Sequence, residues 1–354
     1  MRRNTSFNPS IDALIMPTSR AGARIDGASR LAETLGCALV VLGSKSSDVK
    51  DMATIAWMGS ADAVGIEMTG TTLARRLPGW RTSGVIEDAG YLPSTDLSMK
   101  RNLALLLAHQ VGWTKLFFLD DDISIEEPND IRRAGGLMEN YAAVGLTIGG
   151  FPDCSVIGHV VRGLGDQHRE FLGGGAIAVT PQRVRSFFPE IYNEDRMYLL
   201  NASGLSRVTM TGRAIQDSYD PFDDPTRAGA EEFGEVIAGG LYYLSLTGAL
   251  PREANQDYWR AYKAARDKAL VHVLARTRES PKPPSEKQKI SDAIYAARQS
   301  LAGITPELCA AYVVEWHRDQ VRWQLHLRMF PTGLSIREAL AALGLTGITP
   351  GPRY

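Results

Sequence analysis

Short apolar runs of β type alternate with longer segments of helical spacing over the first 250 residues, and that alternation predicts an α/β domain. IDALIMPTSR (11–20) reads as a strand entering a polar loop, CALVVLG (37–43) as a second strand and AVGIEMT (63–69) as a third. STDLSMKRNLALLLAHQ (94–110) opens with capping residues and continues as a strongly apolar helix, which feeds the strand TKLFFL (114–119). YAAVGLTIGG (141–150) and FLGGGAIAV (171–179) supply later strands, the second with glycines where a backbone turns or is closely approached.

After Pro251 the texture becomes helical. QDYWRAYKAARDKALVHVLAR (256–276) carries an apolar stripe of Trp259, Tyr262, Val273 and Leu274, and ESPKPPSEK (279–287) is a Pro-rich joint. Ser285 with Gln288 and Ser335 with Glu338 have capping-box spacing, and Thr305-Pro306 is an N-cap followed by proline at the first helical position. The pattern predicts a catalytic-sized unit over 1–250 and a helical region over 251–354 that packs on it and offers a surface for homo-oligomers.

The polar position that stands out is the end of TKLFFL, where Asp120, Asp121 and Asp122 follow a buried strand directly. Adjacent carboxylates repel, and an apolar strand cannot solvate them. A hard cation such as Mg²⁺ or Mn²⁺ takes carboxylate oxygens and relieves the repulsion. If the backbone stays extended, Asp120 and Asp122 point the same way and form a D-x-D grip. A solvated turn is the plain alternative. A haloacid-type phosphatase also begins with D-x-D after a strand, but it places that motif near the first strand, and here several strands come before it.

Three further segments carry candidate chemistry. Lys100, Arg101 and Asn102 open the apolar helix, where cations oppose the helix dipole unless they serve something else, such as a phosphate. Glu194 and Asp195 follow Asn193, which reads as an N-cap with favourable first-turn acids even without a function. QDSYDPFDDPTRAGAEEFGE (216–235) interleaves Asp217, Asp220, Asp223 and Asp224 with Tyr219 and Phe222; it is either a solvated acidic loop or a lid over a sugar. It lacks the spacing of an EF-hand. His159 and His168 could face a site, and the six histidines lack the spacing of a zinc centre.

Composition narrows the classes. Lys+Arg 39 against Asp+Glu 40 gives a net charge of -1, so the surface as a whole does not attract nucleic acid or anionic lipid. Cys37, Cys154 and Cys309 are widely spaced and odd in number, which indicates neither a disulfide framework nor a zinc knuckle. No apolar run approaches the ~18 residues of a membrane span, and Met-Arg-Arg-Asn-Thr-Ser lacks the apolar stretch of a signal peptide. The expectation is a cytoplasmic protein.

Together, the strand ending in Pro17-Thr18-Ser19-Arg20, the Lys-Arg-Asn helix start, the D-x-D, the glycine-rich strand and N-E-D-x-x-x-L-L resemble the GT-A fold glycosyltransferases, family-2-like members above all. The resemblance covers roughly residues 10–200. It implies a Rossmann-like mixed sheet flanked by helices, a nucleotide-sugar donor of UDP- or GDP-sugar type, Mn²⁺ or Mg²⁺, and a hydroxyl acceptor. It places Pro17, Thr18, Ser19 and Arg20 at the nucleobase, and Lys100, Arg101 and Asn102 at the donor. Asp122 becomes the metal ligand, with Asp120 on ribose or metal and Asp121 sharing either task. Gly173, Gly174 and Gly175 would let the acceptor approach the backbone, and Asp195 would be the base with Glu194 as helper. A third metal ligand after the E-D pair, common in that family, has no clear equivalent here before His272. A sugar-phosphate nucleotidyltransferase is the enzymatic alternative, with only a faint Gly22/Arg24 version of its loop. A non-catalytic sugar-nucleotide-binding protein is the other.

Overall fold

The structure is a computed structural model that describes residues 11–21, 25–47, 63–68, 76–91, 95–152, 154–165, 172–345 and 347–348. Gly22, Arg24 and His168 lie outside the described residues. In chain order the first elements are β1 (Ala13–Thr18), α1 (Ile25–Leu35), β2 (Ala38–Gly43), β3 (Ala63–Glu67), α2 (Arg81–Asp88), α3 (Leu97–Val111) and β4 (Leu116–Leu119). Next come β5 (Ile123–Ser124), α4 (Pro128–Leu137), β6 (Ala143–Gly150), α5 (Val156–Gly163), β7 (Ala176–Val179), α6 (Pro181–Val184) and α7 (Glu194–Leu199). After these follow β8 (Leu200–Asn201), β9 (Gly204–Leu205), β10 (Val208–Gln216) and the helices α8 (Thr226–Leu246), α9 (Gln256–Glu279), α10 (Pro284–Gly303), α11 (Pro306–Leu327) and α12 (Ile336–Ala342). The strand β11 (Gly347–Ile348) comes last.

Among the described residues nine strands form one mixed sheet in the order β11-β3-β2-β1-β4-β7-β6-β10-β5. The strands β3, β2, β1 and β4 run parallel, and β7 is antiparallel to both β4 and β6. Their residues are apolar on both faces, as a strand covered by helices on each side requires. The chain leaves β1 through α1 to β2 on one side, while β4 lies on the other. Between the carboxyl ends of β1 and β4 the strand order therefore reverses, and such a switch point leaves a crevice for ligands.

One face of the sheet packs on α1 and α4. The other packs on α3, whose Leu103–Leu107 stretch is buried on every side, and on the C-terminal helices, including Trp259, Trp316 and Trp323. The region after residue 250 thus shares a continuous core with the sheet. Asn255, Thr305 and Ser335 cap their helices through side-chain oxygens, and Ser335 with Glu338 closes a capping box. One expectation fails here. Pro284 takes the first position of α10, so Ser285 lies inside the helix rather than at its cap. The region after residue 251 is helical as expected through α12, and Gly347 and Ile348 then add an antiparallel edge strand opposite Ile66 and Gly65 of β3.

Asp319 of α11 fixes this docking. Fully buried, it accepts from Arg81 N (3.1 Å), Thr82 N (2.9 Å) and Thr82 Oγ1 (2.9 Å), and so caps α2 from across the fold. Trp80, just before α2, stacks on Phe187 at 4.2 Å and meets Trp323 at 5.9 Å. Asp319→Ala orphans three donors, and hydrogen bonds to a buried charge are worth about 1.5–3 kcal/mol each. The variant is expected to lose at least about that much in urea unfolding; an unchanged unfolding midpoint would remove Asp319 as the anchor.

Candidate functional site

The site grows from the carboxyl end of β4. Asp120 N donates to Gly175 O (2.8 Å), and Ile123 N donates back to Asp120 O (3.1 Å), so the chain turns directly after the strand. The extended backbone expected for the D-x-D is therefore absent, and each aspartate meets a different partner. Asp120 receives Arg101 Nη2 at 3.0 and 3.3 Å. Asp121 accepts from Thr18 Oγ1 at 2.5 Å and faces Arg20 Nη1 at 3.5 Å, whereas Asp122 takes Arg20 Nη2 at 3.2 Å. The mutual repulsion of the triplet is thus met by two arginines on opposite sides. Burial pushes the Asp120 carboxyl above its ordinary range, against the pull of Arg101.

Arg101 is the centre of the arrangement. Its side chain is 2% exposed and lies beside the rings of Phe118 and Phe188. Nη1 donates to Glu194 Oε1 at 2.6 Å while Nη2 holds Asp120. One guanidinium therefore joins the end of β4 to the start of α7. Burial works against its charge, but Asp120 and Glu194 overcome that and keep it cationic. Burial also pushes Glu194 above its ordinary range, despite Arg101, and the neighbouring Asp195 adds to the rise.

Asp195 points to the glycine segment before β7. Its Oδ2 accepts from Gly174 N at 2.6 Å and its Oδ1 from Arg196 N at 2.7 Å. A Cβ on Gly174 would sit 2.5 Å from Arg101 Nη1 and 2.9 Å from Asp195 Cβ; one on Gly175 would sit 2.6 Å from Ile123 Cδ1 and 3.1 Å from Asp120 Oδ2. The glycines thus admit the protein's own charged side chains to the backbone, a role different from the acceptor approach expected of Gly173–Gly175.

Two residues of the helix start do not reach the cleft. Lys100 Nζ donates to Thr18 O (2.7 Å), Ser44 Oγ (2.7 Å) and Asp96 Oδ1 (2.9 Å). An ammonium has three donors, and all are spent on tying β1, the end of β2 and α3 together. Asn102 is fully buried and exchanges both amide bonds with Phe188, at 2.7 and 2.8 Å. Both are struts of the scaffold, which corrects their assignment to the donor; the cost of cations at a helix start is offset by buried pairing. Asn193 also differs from expectation. It is in the left-handed region (φ 61) without a side-chain cap bond to its own helix, and it donates instead to Glu235 Oε1 at 2.8 Å.

A cleft of ≈ 770 Å³ lies over these groups, lined by Arg20, Arg101, Asp120, Gly173, Gly174, Gly175, Glu194 and Asp195. Its lining also carries Tyr91, Glu190 and Tyr192, which sequence reasoning did not single out, and Arg227 and Glu231, which lie in the 216–235 segment but were not named there. Arg227 and Glu231 form an i,i+4 pair at 2.8 Å, and that spacing was the available signal. Thr18 is buried at the end of β1, and Pro17 pairs with Leu42 within the sheet; Ser19 is half-buried and Arg20 exposed. Of the acidic segment, Asp224 lines the cleft, while Asp220 pairs with Lys289 on the surface. Tyr219 is held by His159 Nε2 at 3.0 Å. Among the described residues no three His, Cys, Asp or Glu side chains converge as a ready-made metal cage. Also among them, no helix is long and apolar enough to cross a membrane.

No family model and no curated protein matches the chain. Among solved structures, a mannosyltransferase from Pyrobaculum calidifontis in complex with GDP-Man and Mn²⁺ is similar over 90% of this chain and 90% of its own, at 13% identity and a TM-score of 0.41.

Proposed function

We propose that the chain is a metal-dependent glycosyltransferase that moves a sugar from a nucleotide-sugar donor to a hydroxyl acceptor, with Asp195 as the base. One observation carries this reading: Arg101 links Asp120, at the triplet end of β4, to Glu194, so Asp120 and the Glu194–Asp195 pair line one cleft at the switch point. Among the described residues the cleft lining has four arginines against six carboxylates: Arg20, Arg101, Arg196 and Arg227 against Asp120, Glu190, Glu194, Asp195, Asp224 and Glu231. A diphosphate entering an already acidic cleft needs a cation.

The donor set suits Mn²⁺ or Mg²⁺, which take hard oxygens and are often held by one or two carboxylates plus substrate phosphates. Asp122 would hold the ion, while Asp120 stays on Arg101. The partner of Asp122 is Arg20, whose side chain is 62% exposed, so the group that would have to make way for an ion is a solvated guanidinium rather than a buried one. When bound, the ion neutralises charge on the departing diphosphate. The chain's own groups do the rest. Arg20 borders the nucleotide, Asp195 accepts the acceptor's hydroxyl proton, and Gly174 N–H fixes the orientation of that carboxylate. Glu194, locked to Arg101, keeps the turn in place rather than moving the proton.

Donor hydrolysis with Mn²⁺ across a panel of UDP- and GDP-sugars tests the reading. Activity is expected with at least one donor, to vanish in chelator and to return with Mn²⁺. Asp122→Asn should lower it about a hundredfold or more, the scale of removing one electrostatic stabiliser, with unfolding unchanged. Full activity of that variant in excess chelator rejects the metal role.

A further inference from the structure

The C-terminal helix α9 reaches the acid pair through two residues of α8. Arg266 of α9 forms a two-pronged pair with the fully buried Glu232, at 2.9 and 2.8 Å, and its Nη1 lies 3.5 Å from Glu235 Oε2. The other oxygen of Glu235 accepts from Asn193 Nδ2 at 2.8 Å and lies 3.8 Å from Arg196 Nη1. Glu235 thus grips the residues on both sides of Glu194–Asp195. One turn of helix places it there: a Cβ on the adjacent Gly234 would fall 2.1 Å from Tyr192 O, so α8 lies directly against the backbone that enters the acid pair. Asn193 is the residue that needs holding. Its φ of 61 is uncommon for a residue with a side chain, and it sets the direction in which the next two carboxylates leave the backbone.

We propose that Glu235, braced by Arg266, is a positioning residue for Asp195, and that it acts by holding Asn193 in its left-handed conformation. The inference rests on the glycosyltransferase reading for its kinetic consequence, but not for its structural one. Glu235 accepts from the Asn193 side chain and acts through the backbone of residue 193. Arg196, the residue after Asp195, is within reach of the same carboxylate, so both flanks of the base depend on one side chain.

The test compares Glu235→Ala, Glu235→Gln and Asn193→Gly by hydrogen–deuterium exchange of the 190–199 segment and by transfer kinetics. In Glu235→Ala the segment should exchange at least tenfold faster, and kcat should fall at least tenfold with the donor KM within twofold. Glu235→Gln keeps an oxygen for the Asn193 amide and should return both quantities to within about threefold of the parent. Asn193→Gly, which permits the same φ without the tie, should behave as Glu235→Ala does and covers the case in which that variant does not fold. Unchanged exchange in both Glu235→Ala and Asn193→Gly overturns the proposal. So does a fall in kcat that the Gln variant shares in full, or one matched by an equal rise in donor KM. If the parent turns over no donor at all, the glycosyltransferase reading fails, and the exchange data still decide whether Glu235 holds the turn.

Discussion

Asp195→Asn is expected to transfer sugar at least about a hundredfold more slowly than the parent, because a general base contributes about 10²–10⁴-fold. Donor affinity should stay near normal, since the groups set for the nucleotide lie on the β1 and triplet side. The geometry adds a stability effect. Both carboxylate oxygens accept a backbone N–H, from Gly174 and from Arg196. An asparagine can accept only one of these and turns its own N–H₂ toward the other, which leaves an unsatisfied donor worth about 1–3 kcal/mol. Melting should therefore fall by a few degrees, far short of unfolding at assay temperature. Near-normal transfer by this variant removes Asp195 as the base, and Glu194 or Asp224 becomes the next residue to replace.

Arg101→Met should have the largest effect on stability. The methionine fills much of the same volume, but it abandons Asp120 and Glu194 together. Removing one partner of a buried ion pair costs about 3–5 kcal/mol, because an uncompensated charge is left behind. Here two carboxylates lose the same cation, and both are already pushed upward by burial. The expected loss in urea unfolding is at least about 3 kcal/mol, with transfer abolished. Arg101→Lys should restore little of either, because a single ammonium cannot repeat the fork that spans β4 and α7. If Arg101→Met unfolds within about 1 kcal/mol of the parent, Arg101 is not the bridge.

Much of this was legible in the chain. The strands β1, β2, β3, β4, β6 and β7 announce themselves as buried apolar runs, and α3 as an apolar helix behind a polar start. The helical texture after Pro251 and two of its caps are also plain. What stayed hidden depends on partners distant in sequence. The strand β10 reads VTMTGRAIQ; its polar positions and the register break between Thr211 and Arg213 disguise a strand paired on both sides. Lys100 looked like a phosphate ligand because its three acceptors come from Thr18, Ser44 and Asp96, two of them far away along the chain. The triplet looked like a parallel grip because nothing local shows that the backbone turns after Asp120. Asn193 looked like a cap because Glu235 is remote in sequence. Residue types thus drew attention to acids and arginines that the fold brings to one cleft, and which of them pair came only from the tertiary structure.

The most direct measurement is calorimetric titration of the parent protein with UDP- and GDP-sugars, each with Mn²⁺ and then with chelator. The account predicts saturable one-to-one binding of at least one nucleotide sugar that depends on the metal, is weakened about tenfold or more by Asp122→Asn, and is little changed by Asp195→Asn. Absence of binding by every nucleotide sugar in the presence of Mn²⁺, or binding that Asp122→Asn and chelator leave untouched, would contradict it.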